Sequence, residues 1–413
     1  MRPSRIRCWR PPTGRGERNA DAPQGSIAPA RRRSYSRRAV QTGAAMQLGT
    51  FMMPMHDPAR DFQTVLEEDL ESVVLADRLG YAEAWCGEHF TSLSEQVSSP
   101  LIFLATLIRE TRQIKFGTAV VNLPQLHPAT VAAYVSMFDH LAKGRFLFGI
   151  GPGGLVSDIE MFKVASAAER PQMMLESIDM ILKLWQSDPP YEIAGKYWQI
   201  SLKDNIWPRY KVGYMSKPYQ RPHPPIALSL VTPNSSSAKL AGQRGWLPIS
   251  GNFFHQRYLK GHWEMYAAGC EAAGRRPDPA IWRVSRSVLV GDSQAEAEDY
   301  LADPANGLSY YYTYFVNSFQ QRGALHMIKP DLALSDAEVG MDNVKRGLTI
   351  AGNVSQVVEQ LAALVEETGP FGTLLLAGHD WDNRALWRRS MELMALQVLP
   401  RLTAKLSGRR AAE

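Results

Sequence analysis

Cysteine is scarce. The 413 residues contain three, Cys8, Cys86 and Cys270, spread far apart. That leaves no disulfide framework and no cysteine-based metal signature, and it suits a reducing, cytoplasmic setting. No apolar run reaches the roughly 18 residues expected of a membrane-spanning helix. The zinc-hydrolase spacings H-E-x-x-H and H-x-x-E-H are absent, as are the G-x-S-x-G elbow and the P-loop. Metal hydrolysis and serine-hydrolase chemistry therefore have no positive support, and no metal site is expected. No internal repeat of roughly 20–50 residues is visible, which sets solenoids aside.

An excess of positive charge is missing from the body, although the formal net charge is +5. Residues 1–45 hold eleven Arg against two acids, Glu17 and Asp21, while the rest of the chain carries 35 basic and 39 acidic groups. The body is mildly acidic, so nucleic acid is not an expected partner. The basic stretch is rich in Arg, Pro, Gly, Ser and Ala without apolar periodicity, and it reads as a disordered extension. Its "RRRSYSRRAVQTGAAM" has paired arginines but no apolar segment behind them, which argues against a twin-arginine signal. Met46 stands directly before the strand-like "QLGTFMM" and is the expected translation start. Residues 46–413 are expected to form a single domain, and at 45% hydrophobic the chain can build a large core.

What is present is alternation. Eight strand-like runs, "QLGTFMM", "AEAWC", "IKFGTAVV", "RFLFGI", "PIALSLV", "WLPIS", "WRVSRSVLVG" and "GTLLLAG", are each followed by a helical pattern. In the first helix, 61–80, Val65, Leu66, Leu70, Val73 and Val74 share a face, and Gly80 sits where a C-terminal cap belongs. The count and length predict an α/β fold, a (β/α)8 TIM barrel, with an open doubly wound sheet as the runner-up. Two stretches exceed plain connections. Residues 188–225, after strand four, read as an insertion with a hairpin, "YEIAGKYWQI". Residues 303–350, after strand seven, read as a lid or a partly disordered excursion.

One motif admits two readings. "GRFLFGIGPGG" places Gly149, Gly151 and Gly154 in the G-x-G-x-x-G spacing of a dinucleotide-binding turn. Such a turn should close the first strand of its unit and be followed by an acid-tipped strand. Here three strand–helix units precede it and no such strand follows. The glycines are better placed at the carboxyl end of strand four, where a barrel builds its active site.

Four loops after strands carry the candidate chemistry. "CGEHF" follows strand two, and His89 can take or give a proton near neutral pH, with Glu88 beside it. The plain alternative is a loop histidine that shapes a turn. "GTAVVNLPQLHP" follows strand three. There Thr118, Ala119 and Val120 offer a flat surface to a ring, Asn122 offers an amide to its polar edge, and His127 reads as a cap. After strand four, Gly149 and Gly151 allow close approach of a ligand to the backbone, or merely make a tight turn. After strand five, Asn234, Ser235, Ser236 and Ser237 open a helix. They make either an anion site or an ordinary N-cap. Met52, Met53 and Met55 read as core or pocket lining.

Taken in order, these pieces resemble the bacterial luciferase-like flavin monooxygenases. The resemblance covers about residues 46–403 and rests on "LGTFMMP", "AWCGEHF", "GTAVVNLPQLHP", "GRFLFGIGPGG", "PNSSSAKLAGQRGW" and "SMELMALQVLPRL". "FMMPMH", "PHPPIA" and "HW" at 262–263 look most like the limonene- and alkane-oxidising branch. The resemblance implies a (β/α)8 barrel with reduced FMN across the strand ends. It implies His89 as the catalytic histidine, an often-cis Ala119–Val120 peptide under the ring, and a phosphate site at Asn234–Ser237; Glu88, next to His89, is expected to orient it. It further implies a separate NAD(P)H:flavin reductase, O2, a small apolar substrate such as a terpene, alkane or ketone, and a homodimer. Light-emitting members carry a cysteine and an arginine at the end of strand four. Gly151 and Pro152 stand there instead, which points away from light emission. Other members use a deazaflavin (coenzyme F420) as dehydrogenases. A non-catalytic flavin-storage protein is the remaining alternative.

Overall fold

The alternation of side chains along the strands decides what fills the middle of the molecule. A computed structural model describes residues 46–164 and 166–410. The expected basic extension, 1–45, lies outside the described residues. Eight parallel strands form the main sheet: β1 (Gln47–Met52), β2 (Glu83–Cys86), β3 (Lys115–Thr118), β4 (Phe146–Gly151), β5 (Ile226–Leu230), β6 (Leu247–Ser250), β7 (Arg283–Val290) and β8 (Thr373–Ala377). Each pairs with the next, and β8 pairs with β1, so the sheet closes on itself. This is the (β/α)8 barrel, not an open sheet.

Inside the barrel, Phe51, Trp85, Ala119, Leu147, Ala227, Ile249 and Leu375 pack on one another as a core of their own. Trp85 is the bulkiest of them, and its neighbours make room for it. A Cβ on Gly117 would stand 2.1 Å from the Trp85 ring. At the foot of the barrel Arg283 pairs with Glu83, with Nη2 2.6 Å from Oε1. Glu83 also accepts from the Trp85 indole at 2.9 Å. A buried pair at that end reads as structure rather than chemistry.

The outward strand faces meet the helices in a second, larger core. Local signals start several of these helices. Asp61 caps Phe62–Arg78 by accepting from Thr64 N, and Ser99 caps Pro100–Leu107. Near the end of the first helix, Asp77 accepts from the backbone N–H groups of Arg112, Gln113 and Ile114. That carboxylate holds the turn into β3.

Two features depart from the strand-by-strand expectation, and the expected hairpin forms between them. The run "IKFGTAVV" is interrupted after Thr118. The Ala119–Val120 peptide is cis, and the chain resumes as Val121–Asn122 against Ile150 and Gly151 of β4. Between β4 and β5, Tyr191–Ala194 and Gln199–Leu202 pair as an antiparallel hairpin. The stretch 303–350, expected as a lid or excursion, holds helices Gly307–Gln321 and Met341–Leu348. It leads into an unexpected ninth parallel strand, Thr349–Gly352, which pairs with β7 outside the barrel. That strand is four residues long and joins directly to a helix, so no period-2 run announces it.

Candidate active site

His89 and Ser236 follow the carboxyl ends of β2 and β5. In a closed parallel barrel those ends share one rim, where barrel enzymes place their chemistry. The loop after β2 is clamped at both sides. His89 N donates to Val97 O, and the N–H groups of Phe90 and Thr91 donate to the fully buried Asp158. Its imidazole is thereby fixed at the mouth, in a cleft with Met53, Gly87, Glu88, Glu95, Gln96 and Val97.

The partner of that imidazole is not the expected one. His89 Nδ1 lies 2.6 Å from Glu95 Oε2. The Glu88 carboxylate instead accepts from Asn122 N at 2.9 Å, while Asn122 Nδ2 donates to Glu88 O. The orienting role expected of Glu88 is thus filled by Glu95, and Asn122 braces Glu88 rather than standing open to a ring. Burial alone would lower the His89 pKa, but the hydrogen bond and charge of Glu95, with Asp158 and Glu88 behind them, raise it. Burial raises the Glu88 carboxyl to about 7 against the Asn122 hydrogen bond, and the Asp158 charge adds to the rise.

Other expected site residues are spent on packing. Thr118 is fully buried and its hydroxyl donates to Gly149 O at 2.7 Å. A Cβ on Gly149 would fall 1.7 Å from Thr118 O, and one on Gly151 would fall 2.3 Å from Val120 Cγ2. Close contact between β3 and β4 therefore requires Gly149, whatever ligand binds, while Gly151 leaves room for the Val120 side chain. Ala119 belongs to the inner core of the barrel. His127 accepts from Ala129 N as the cap of Pro128–Leu141.

The loop after β5 opens a helix, Ser236–Arg244, in an unusual way. Asn234 takes a positive φ of 53°, and the cap residue, Ser235, makes no side-chain capping bond. The first N–H groups of the helix are left for another acceptor, and the dipole favours an anion there. His262 steadies the same loop. Its Nε2 lies 2.8 Å from Thr232 O and its Nδ1 3.0 Å from Ser250 Oγ. The "HW" pair at 262–263 thus has a positioning role.

Two groups at the rim escaped the sequence reading. His56, almost fully buried, lies between Asp380 (2.7 Å) and Asp69 (3.2 Å), and Arg60 bonds both Asp380 and Glu68. Burial opposes its charge, yet the two carboxylates raise its pKa to about 9. Burial in turn raises the Asp69 carboxyl despite the bond from His56. The cluster ties the loops after β1 and β8 to the first helix. Its parts lie 324 residues apart, so only "FMMPMH" hinted at it. The other group is an aromatic wall. Tyr311 receives a bond from Asn252 at 2.7 Å, Tyr310 meets Ser94 at 3.0 Å, and Phe315 stacks on Phe253. The helix Gly307–Gln321 thus leans over the mouth.

A closed parallel barrel with a carboxylate-held imidazole and an uncapped helix N-terminus on one rim defines a barrel enzyme with its site at the carboxyl face. The Luciferase-like monooxygenase family matches residues 46–370, and the chain belongs to it. It is 32% identical over 372 residues to 4-hydroxyprotoasukamycin monooxygenase of Streptomyces nodosus subsp. asukaensis, covering 88% of this chain and 94% of that one. It is 31% identical over 370 residues to limonene 1,2-monooxygenase of Rhodococcus erythropolis, covering 88% of each. Among solved structures, it resembles the oxygenating constituent of 3,6-diketocamphane monooxygenase from Pseudomonas putida, a type II Baeyer–Villiger monooxygenase in complex with FMN. The TM-score is 0.78 at 28% identity, covering 86% of this chain and 98% of that one. The protein is a flavin-dependent monooxygenase.

Polar atoms inside the barrel and at its rim suit a flavin. Ser229 Oγ and Ser285 Oγ, on inward strand positions, and Gln96 Oε1, beside His89, are buried without a hydrogen-bond partner. The bare N-terminus at Ser236 suits a phosphate. The rim clefts are narrow, about 10 Å³ beside His89 and 30 Å³ beneath Phe253 and Phe315.

Proposed function

We propose that the protein is the oxygenase of a two-component system that uses reduced FMN and O2 to oxygenate a small apolar substrate of the terpene, alkane or ketone type. The observation that carries the reading is the 2.6 Å contact between His89 and Glu95 beside the buried Glu88. Reduced FMN, when bound, supplies the electrons that activate O2 and one oxygen atom for the substrate. Gln96, Ser229 and Ser285 would hold the ring, and the N–H groups at Ser236 and Ser237 its phosphate. Because Glu95 engages Nδ1 and favours the charged imidazole, His89 is set up to donate a proton from Nε2 and recover it afterwards. Phe253, Tyr311 and Phe315 exclude water from the mouth and present an apolar wall to the substrate. The P. putida relative is described as an oxygenating constituent, which supports a separate flavin reductase.

The test is anaerobic titration with reduced FMN and, in parallel, reduced coenzyme F420, followed by admission of air in the presence of limonene, a ketone or an alkane. The expected result is binding of reduced FMN and uptake of O2 coupled to an oxygenated product. Binding of reduced F420 alone, without O2 uptake, would overturn the proposal in favour of a dehydrogenase. Tight binding of oxidised flavin without turnover would favour a storage protein.

A further inference from the structure

A second cleft, about 230 Å³, opens on the outer side of β7 and is separate from the mouth. It lies between β7, the added strand Thr349–Gly352 and the helix Val354–Thr368, and Arg286, Gln256, Arg346, Gln360 and Ala363 line it. Arg286 alternates with the inward Ser285 and Ser287 and so faces out of the barrel, where it is 3% exposed.

The guanidinium is only half satisfied. Nη1 donates to Gly251 O at 3.1 Å and to Ser285 O at 3.0 Å. Nε and Nη2 are buried with no partner. These two nitrogens form one edge of the guanidinium, the side-on fork that accepts two oxygens of a carboxylate or phosphate in parallel. A buried cation with an open fork is costly until an anion meets it. Burial already lowers the Arg286 pKa to about 10, partly offset by Tyr312 and Glu367.

The surrounding charges do not close the fork. Arg346, at the outer edge, is paired with Glu298 and Asp342. Glu367 accepts from Gln256 Nε2 at 2.7 Å. Gln360 is engaged with both backbone groups of Ala351. The corner is nonetheless electropositive: burial, then Arg257 and Arg286, lowers the His255 pKa to about 4.

We propose that this cleft is a second ligand site, outside the barrel mouth, that binds a small organic anion side-on to Arg286 through a carboxylate or phosphate group. The cleft, about 230 Å³, admits only a small ligand. Its binding reaches the mouth by a short route. Arg286 holds Gly251 O, and the next two residues, Asn252 and Phe253, line the rim cleft.

The test uses the full chain with FMN in excess, so that an added anion cannot report on the flavin phosphate site. Thermal unfolding is followed against succinate, inorganic phosphate and, as control, chloride at matched ionic strength. The expected result is a saturable rise in Tm with succinate or phosphate beyond the chloride response, and whichever acts identifies the ligand group. Arg286→Lys keeps the charge and removes the fork. Ala363→Glu puts a carboxylate into the cleft from an exposed helix position and spares the core. Both should lose the response by tenfold or more in the anion concentration needed, with FMN affinity unchanged. No saturable rise in the wild type, or the wild-type response in both variants, would overturn the proposal.

Discussion

His89 Nδ1 lies 2.6 Å from Glu95 Oε2, six residues away along a loop folded back on itself at the mouth of the barrel. Neither group could be assigned to the other from spacing alone. In the proposed reading the pair is a positioned acid with a carboxylate that favours its charged form. His89→Ala should reduce turnover by about 10²–10⁴ while leaving FMN affinity within a fewfold. Glu95→Gln keeps the shape and loses the charge, so the His89 pKa should fall and its inflection in the kcat–pH profile should move to lower pH. A profile unchanged in Glu95→Gln would remove the proton role.

Glu88 offers a stability test with a definite sign. Its folded pKa, about 7, stands above the ordinary carboxyl value of 4.5. Between those values the native state binds more protons than the unfolded chain, so this group costs stability progressively as pH rises through that window. Glu88→Gln cannot ionise. Relative to the wild type, it should gain about 2–3 kcal/mol between pH 5 and pH 8. Urea unfolding at the two pH values measures the difference, and an equal effect at both would refute the burial argument.

The helix N-terminus at Ser236 separates a phosphate site from a plain cap. Ser236→Glu places an acid in the first turn, which should leave the fold unharmed or stabilise it by about 0.3–1 kcal/mol. The same charge should repel a phosphate and weaken FMN binding by at least tenfold, about 1.4 kcal/mol. Fluorescence titration with FMN reads the affinity. Unchanged affinity would place the phosphate elsewhere.

The three glycines of the G-x-G-x-x-G spacing should behave unequally. Gly149→Ala drives a methyl against Thr118 O and should cost about 3 kcal/mol or more. Gly151→Ala meets the Val120 side chain and should cost less, to the extent that this side chain yields. Gly154 faces open space where a methyl group would stand, so Gly154→Ala should fall within about 0.5 kcal/mol. A dinucleotide turn would make all three intolerant, so equal losses in denaturation midpoints would contradict the barrel reading of this motif.

The barrel was legible in the chain because its strands are short apolar runs and its helices carry long 3.6-residue periods. Those signals are local. They were enough to predict eight strands, to reject the dinucleotide turn, and to bring "CGEHF" and "PNSSSAK" to one rim. The ninth strand was not legible, since four residues beside β7 leave no period to read. Glu95 was hidden for a related reason: nothing in a polar loop says which carboxylate folds back onto the histidine.

By itself, then, the sequence determined the order of elements, their parallel α/β class and the loops after the strands that carry the candidate chemistry, all consequences of hydrophobic period and turn chemistry along the chain. Only the tertiary structure decided who touches whom. It gave His89 to Glu95, Asn122 to Glu88 and the Thr118 hydroxyl to Gly149 O, and it joined His56 to Asp380 across 324 residues. The physical reason is that a hydrogen bond between side chains depends on angstrom-scale placement and on the exclusion of water. Both are set by packing of the whole barrel rather than by any local stretch of residues.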